Sequence, residues 1–172
     1  NVDVLSNKLV TDNPANRCYY CKQGVFGTIL EAAKNDGMTV ILDGTNASDD
    51  ADDRPGMKAL QEMKVLSPLR MCGYVKSEIR KQSKEAGLFV YNKPSYACLA
   101  TRIPTGTEID EEKIKQVETA EKFLLDLGFS DFRVRWMDNK AKIQMPESQL
   151  QALMEKREVV LEELSKIFDE VL

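Results

Sequence analysis

Four cysteines and no histidine define the chemistry open to this chain of 172 residues. Without histidine the commonest general base and the commonest zinc ligand are both missing. Any nucleophile must then be activated by other means, and any metal must rest on Cys, Asp or Glu. Cys18-Tyr19-Tyr20-Cys21 is a C-x-x-C pair between Arg17 and Lys22. That spacing aims two thiolates at one metal or cluster, within cationic flanks of the kind that favour thiolates. A redox pair, half a zinc site, a cluster clamp and two small buried side chains all answer to it. No strand pattern precedes it, so a thioredoxin-like reading is poor. Cys98 lies in Lys93-Pro94-Ser95-Tyr96-Ala97-Cys98-Leu99-Ala100-Thr101-Arg102-Ile103-Pro104. Two prolines stiffen that loop, and Arg102 could hold phosphate or favour a thiolate, the setting of a reactive thiol. An inert hinge cysteine is the competing reading. Cys72, beside Met71 and Gly73, reads as packing. Were three thiols needed, Cys18, Cys21 and Cys98 are the natural set.

Other side chains add binding chemistry. Arg133 and Arg135 stand two apart on a strand pattern, so they share a face. A pair of guanidinium forks there suits phosphate or carboxylate, or else a solvated face with surface ion pairs. Asp43-Gly44-Thr45-Asn46 forms a polar loop at the carboxyl end of an apolar run, where open α/β sheets hold ligands. The acidic Asp49, Asp50, Asp52 and Asp53 resemble a Mg²⁺-facing loop only loosely, since charge runs are usually just solvated. A lone Glu121 on a helix would normally be a surface residue.

The elements that must position these residues follow an α/β rhythm. The spacing of Val25, Phe26, Ile29, Leu30 and Ala33 predicts a helix over 20–34, ended by Gly37. Met38–Leu42 is a β-prone run of the sort buried on both faces of a parallel sheet. A short helix to about Glu62, a strand at 64–66 and a helix over 76–86 follow. Past Pro104-Thr105-Gly106 the character changes. Asp110 caps a long helix carrying Ile114, Val117, Ala120, Phe123, Leu124 and Leu127 on one face. Strands at 132–136 and 140–145 meet across Asp138-Asn139, and a charged helix is expected over 147–171. The expected division is residues 1–105, an α/β domain, and 106–172, a small α+β lobe.

A 42% hydrophobic, 30% charged composition is that of a soluble globular protein. No stretch is long and apolar enough for a bilayer, and no export signal opens the chain, so a cytoplasmic location is expected. A net charge of −4 argues against nucleic acid as partner. The opening without Met suggests a trimmed chain.

Taken in order, several segments resemble the LarE family, ATP-dependent sulfur transferases of the PP-loop superfamily. They are Asn16–Lys22, Asp43–Asn46 with Asp49 or Asp50, Arg54-Pro55-Gly56, Ser67-Pro68-Leu69, Lys76 with Glu78-Ile79-Arg80, Lys93-Pro94, Ala97–Arg102, Ala120-Glu121 and Arg133-Val134-Arg135. The resemblance implies the remainder of a Rossmann-like, doubly wound PP-loop domain, followed by the small lobe. It implies that ATP, with Mg²⁺, adenylates a carboxylate of a pyridinium dicarboxylate mononucleotide. Sulfur then replaces the activated oxygen, giving the thiocarboxylate of nickel-pincer nucleotide biosynthesis. In single-cysteine members the cysteine gives up its own sulfur. The triplet Cys18, Cys21 and Cys98 implies the type that holds a 4Fe–4S cluster. Cys98 and Glu121 are the implied catalytic residues. Thr101, Arg133 and Arg135 would bind the substrate phosphate, and Asp43, Gly44, Asn46 and Asp50 would face the nucleotide. The family's Ser-Gly-Gly-x-Asp-Ser motif is absent from these residues, which implies a longer, active parent and a shortened chain of doubtful activity. Relatives tend to assemble, so a homo-oligomer is expected. Two rivals stay open: another PP-loop enzyme, tRNA-thiolating or NAD-synthase-like, and a non-catalytic module closing Cys18, Cys21, Cys72 and Cys98 on one metal.

Overall fold

A computed structural model describes residues 2–49 and 54–172. Asp50, with Asp52 and Asp53 of the acidic run, lies outside the described residues. The fold is mixed α/β and divides into two compact units, one of residues 1–10 and 14–93, the other of residues 11–13 and 94–172. The boundary falls between Lys93 and Pro94 instead of near 105, so the Cys98 loop goes with the second unit.

The first unit is mainly helical. After α1 (Lys8–Thr11), α2 spans Arg17–Asn35, longer at both ends than its apolar repeat suggests. α3 (Pro55–Glu62) begins on a proline, whose missing N–H is no loss at a helix start. α2 and α3 pack closely at Gly56, where a Cβ would stand 3.0 Å from Cδ of Lys22 and 3.5 Å from the Cys18 carbonyl oxygen. Met57, Leu60 and Val65 form the small core beside Phe26, Ile41 and Met63. α4 (Pro68–Met71) and α5 (Lys76–Glu85) follow, and Glu78 accepts a bond from the Val75 amide at the start of α5.

The run 38–42 departs from its expected form. Its pairing is a single parallel bridge, Leu42 to Leu66, made by the amides of Leu66 and Asp43. Met38, Val40 and Leu42 are 64%, 58% and 59% exposed, so neither a doubly covered strand nor a doubly wound sheet forms among the described residues. A parallel strand gains its burial from neighbours and covering helices; one bridge supplies neither.

The second unit is a small α+β fold. Asp110 accepts the Lys113 amide at 2.8 Å and caps α6 (Glu111–Asp126). α6 lays Val117, Ala120 and Leu124 on the strands β1 (Arg133–Met137) and β2 (Lys140–Gln144). These pair antiparallel through Asp138 and Asn139, both at positive φ (49° and 60°), as a two-residue hairpin with right-handed twist requires. The expected C-terminal helix is corrected to α7 (Leu150–Glu155), α8 (Arg157–Leu164) and a short β3 (Glu170–Val171) parallel to β2. Burial of Leu164 and Phe168 turns the chain into the core, and the amide of Leu172 bonds the Ala141 carbonyl at 2.8 Å. Tertiary pairing overrides helical composition here.

Asn13 is the less obvious support of this unit. It is fully buried at φ 52°, and its side-chain amide donates to the carbonyls of Pro104 (2.7 Å) and Thr107 (2.9 Å). Its own carbonyl accepts the Gly106 amide at 2.9 Å. Asn13→Ala leaves the carbonyls of Ile103, Pro104 and Thr107 without this donor while keeping the αL backbone. It should cost about 2–3 kcal/mol, read from urea unfolding by the fluorescence of Trp136, the single tryptophan.

Candidate functional site

Cys98 stands exposed immediately before a 3₁₀ turn, Leu99–Arg102, and the hydrogen bonds around it hold backbone and not the thiol. The Thr101 amide (3.0 Å) and hydroxyl (2.7 Å) both donate to the Cys98 carbonyl. From β1, Arg135 Nη1 donates to the Thr101 carbonyl at 3.0 Å, and Arg133 Nη2 to the Ser95 carbonyl at 3.4 Å. The expected phosphate-binding set, Thr101, Arg133 and Arg135, is thus gathered around the Cys98 turn.

Beneath the turn lies a buried ion pair. Arg102 Nε and Nη2 meet the Glu121 carboxylate at 2.6 and 3.1 Å, with side chains 1% and 0% exposed. Arg102 Nη1 also donates to the Thr101 hydroxyl at 2.9 Å. Glu121 further accepts the Val134 amide at 2.9 Å. A carboxylate offers about four acceptor positions, and these three buried donors take most of them. Anything Glu121 does for chemistry therefore passes through what it holds. Arg102, expected to be available to phosphate, is buried and committed to Glu121 and Thr101. Its guanidinium also lies 5.6 Å from the Tyr96 ring centre, completing a cluster of three ionisable groups.

Burial of the hydroxyl, then its bond to Glu121 and that residue's charge, push Tyr96 up to about 12, with Arg102 opposing. The raised value favours the protonated phenol. Its contribution to stability is therefore complete below pH ~10 and is lost as pH rises toward the folded value. An absorbance titration should show a tyrosine ionising near pH 12, and Tyr96→Phe should remove that step.

The first unit has its own cleft of about 280 Å³, where Pro55 and Met57 contribute apolar wall beside Cys18, Lys22, Thr45, Asp49 and Arg54. Cys18 and Cys21 are three apart on α2 and so share a face. Arg54 Nη1 meets Asp49 at 3.1 Å, and Asp49 in turn accepts the side chain of Asn46 at 2.9 Å. Asp43 binds the Thr45 hydroxyl at 2.6 Å. Burial works to raise its carboxyl, but bonds from Ser67 and Thr45 and the charge of Lys22 outweigh that and leave it lowered. Two cations beside a held polar loop can receive an anionic ligand.

Of the expected site residues, Asp43 and Asn46 thus belong to one loop of the first unit, with Gly44 exposed between them. Cys18 and Cys21 occupy the neighbouring helix, while Cys98, Thr101, Glu121, Arg133 and Arg135 cluster in the second unit. None of the cysteines is in a disulfide. Among the described residues no three His, Cys, Asp or Glu side chains form a metal-holding group, and no helix is long and apolar enough to cross a membrane. Three residues escaped the sequence reading. Asn13 only precedes a proline in sequence, Tyr96 is one residue of the Cys98 loop, and Lys22 flanks the C-x-x-C pair. A signal existed for Glu121, which occupies the apolar stripe of Val117, Ala120 and Leu124.

No family model matches the chain. It is 38% identical over 164 residues to an uncharacterized protein of Synechocystis sp., covering 95% of this chain and 60% of that one. Against an uncharacterized protein of Methanocaldococcus jannaschii it is 31% identical over 160 residues, 93% of this chain and 63% of the relative. A match of 34% identity over 149 residues, 87% of this chain and 54% of the other, is to the pyridinium-3,5-bisthiocarboxylic acid mononucleotide synthase of Lactiplantibacillus plantarum. The chain therefore spans between 54% and 63% of the length of these curated relatives. Across both of its units it is similar to a synthase that makes a bis-thiocarboxylate of a pyridinium mononucleotide.

Proposed function

We propose that this chain is the Cys98-bearing part of an ATP-dependent sulfur transferase of the LarE family, which turns a carboxylate of a pyridinium mononucleotide into a thiocarboxylate. One observation carries the reading. The similarity to the synthase takes in 149 of 172 residues, so at most 23 fall outside it. It must include Cys98, Glu121, Arg133 and Arg135.

The chemistry asks for a good leaving group and a soft nucleophile. A carboxylate oxygen attacks the α-phosphorus of ATP, pyrophosphate leaves, and the acyl adenylate results. Sulfur then attacks the acyl carbon, the C–S bond forms, the C–O bond breaks and AMP departs. In the first unit the cleft of Lys22 and Arg54, beside the Asp43–Asn46 loop, suits the nucleotide's phosphates and their Mg²⁺. In the second unit the guanidiniums of Arg133 and Arg135 take the mononucleotide phosphate and set its acyl carbon toward Cys98.

The 4Fe–4S reading is supported by residue chemistry alone: Cys18, Cys21 and Cys98 are thiols, none is in a disulfide, and thiolates are the ligands such a cluster takes. When bound by those three residues, the cluster would supply a sulfide as the nucleophile.

The test uses the full-length natural protein, purified anaerobically and given ATP, Mg²⁺ and the pyridinium dicarboxylate mononucleotide. Expected are AMP, pyrophosphate and a product carrying sulfur in place of oxygen by mass spectrometry, with iron and sulfide in the protein. A colourless protein with one bound zinc and no thiocarboxylate would overturn the reading and favour the four-cysteine module.

A further inference from the structure

We propose that Arg133 and Arg135, with Thr101, are positioning residues for Cys98, gripping the turn on both sides of it while their remaining donors stay open to a phosphate monoester. The inference rests on the proposed reading, in which Cys98 belongs to the sulfur-delivering site, and adds a second task to residues so far given only substrate binding.

The grip is symmetric about the thiol. Arg133 bonds the carbonyl three residues before Cys98 and Arg135 the carbonyl three residues after it. Both guanidiniums project from one face of β1, whose Val134 between them is fully buried and whose amide is bonded to Glu121. The base of the grip is therefore fixed to the core. Arg135 is braced by Gln144 across the hairpin, and Arg133 by the Phe132 carbonyl at 2.6 Å. Thr101 adds the inner bond, with its hydroxyl donating to the Cys98 carbonyl and accepting from buried Arg102. These bonds leave the thiol free and order the backbone that carries it.

Arginine suits this double duty and lysine does not. A guanidinium has five N–H donors in a planar fork, so it can hold a carbonyl with one and present others to phosphate. An ammonium is a single point of charge on a flexible stem. Arg135→Lys should therefore keep most of the attraction for phosphate and lose the grip.

Two measurements on the full-length natural protein decide this. Amide exchange of peptides spanning residues 94–104 should run about 3- to 10-fold faster in Arg135→Lys and in Thr101→Val than in wild type, with the β1–β2 hairpin unchanged. In turnover, Arg135→Lys should lower kcat about tenfold while KM moves less than about threefold. Unchanged exchange in both variants overturns the grip. Faster exchange with a raised KM and full kcat overturns the positioning role and leaves a phosphate ligand only. A wild type that makes no thiocarboxylate defeats the functional reading instead, and exchange then decides the grip by itself.

Discussion

Glu121→Ala is expected to destabilise the second unit by about 3–5 kcal/mol. The cost comes from what is left behind. Arg102 is 1% exposed and directs Nε and Nη2 at the carboxylate; without it a full positive charge stays in a site closed to water. The buried Val134 amide loses the same acceptor. A buried pair is costly to break and often cheap to replace whole. The double variant Glu121→Leu with Arg102→Met should accordingly recover most of the loss and show strong coupling in a double-mutant cycle. Urea unfolding followed through Trp136 measures all three proteins. A loss below about 1 kcal/mol would mean that Arg102 swings to solvent, and the pair would then not hold the Cys98 turn.

The second unit was largely legible because its signals are local. Asp110 announces the start of α6, and Val117, Ala120 and Leu124 give its buried stripe. Asp138-Asn139 admits the positive φ that a two-residue hairpin needs. β3 escaped because a two-residue strand has no periodicity of its own and exists only through its pairing with β2. The strand at 38–42 was misjudged for the opposite reason. Its apolar composition is real, but a sheet is a property of neighbours, and one bridge to Leu66 is what the described residues supply. At the site, sequence order does not reveal what the candidate residues touch. Arg102 read as an anion ligand because it stands four residues from Cys98. Its bond to Glu121 closes across nineteen residues and appears only when the turn folds onto α6. Asn13, ninety-one residues from the Pro104 carbonyl it binds, gave no sign beyond preceding a proline.

Cys98→Ala should abolish thiocarboxylate formation, a loss of about 10³-fold or more, while leaving the fold within about 0.5 kcal/mol of wild type. The two effects separate because the turn is held by backbone. Its bonds run to the Cys98 carbonyl from the amide and hydroxyl of Thr101, and none that defines the turn requires sulfur. The exposed thiol fills no core, so alanine leaves no cavity. Glu121→Ala behaves in reverse, losing stability first and activity as a consequence. Cys72→Ser provides the control, since Cys72 is also exposed but lies outside both candidate sites; its turnover should stay within about twofold of wild type. Mass analysis of the product, beside urea unfolding of the same preparations, checks the set. If Cys98→Ala still delivered sulfur within about tenfold of the wild-type rate, the transferred atom would have to reach the acyl carbon without this thiol, and the turn assembled by Arg102, Glu121, Arg133 and Arg135 would serve the fold and not the reaction.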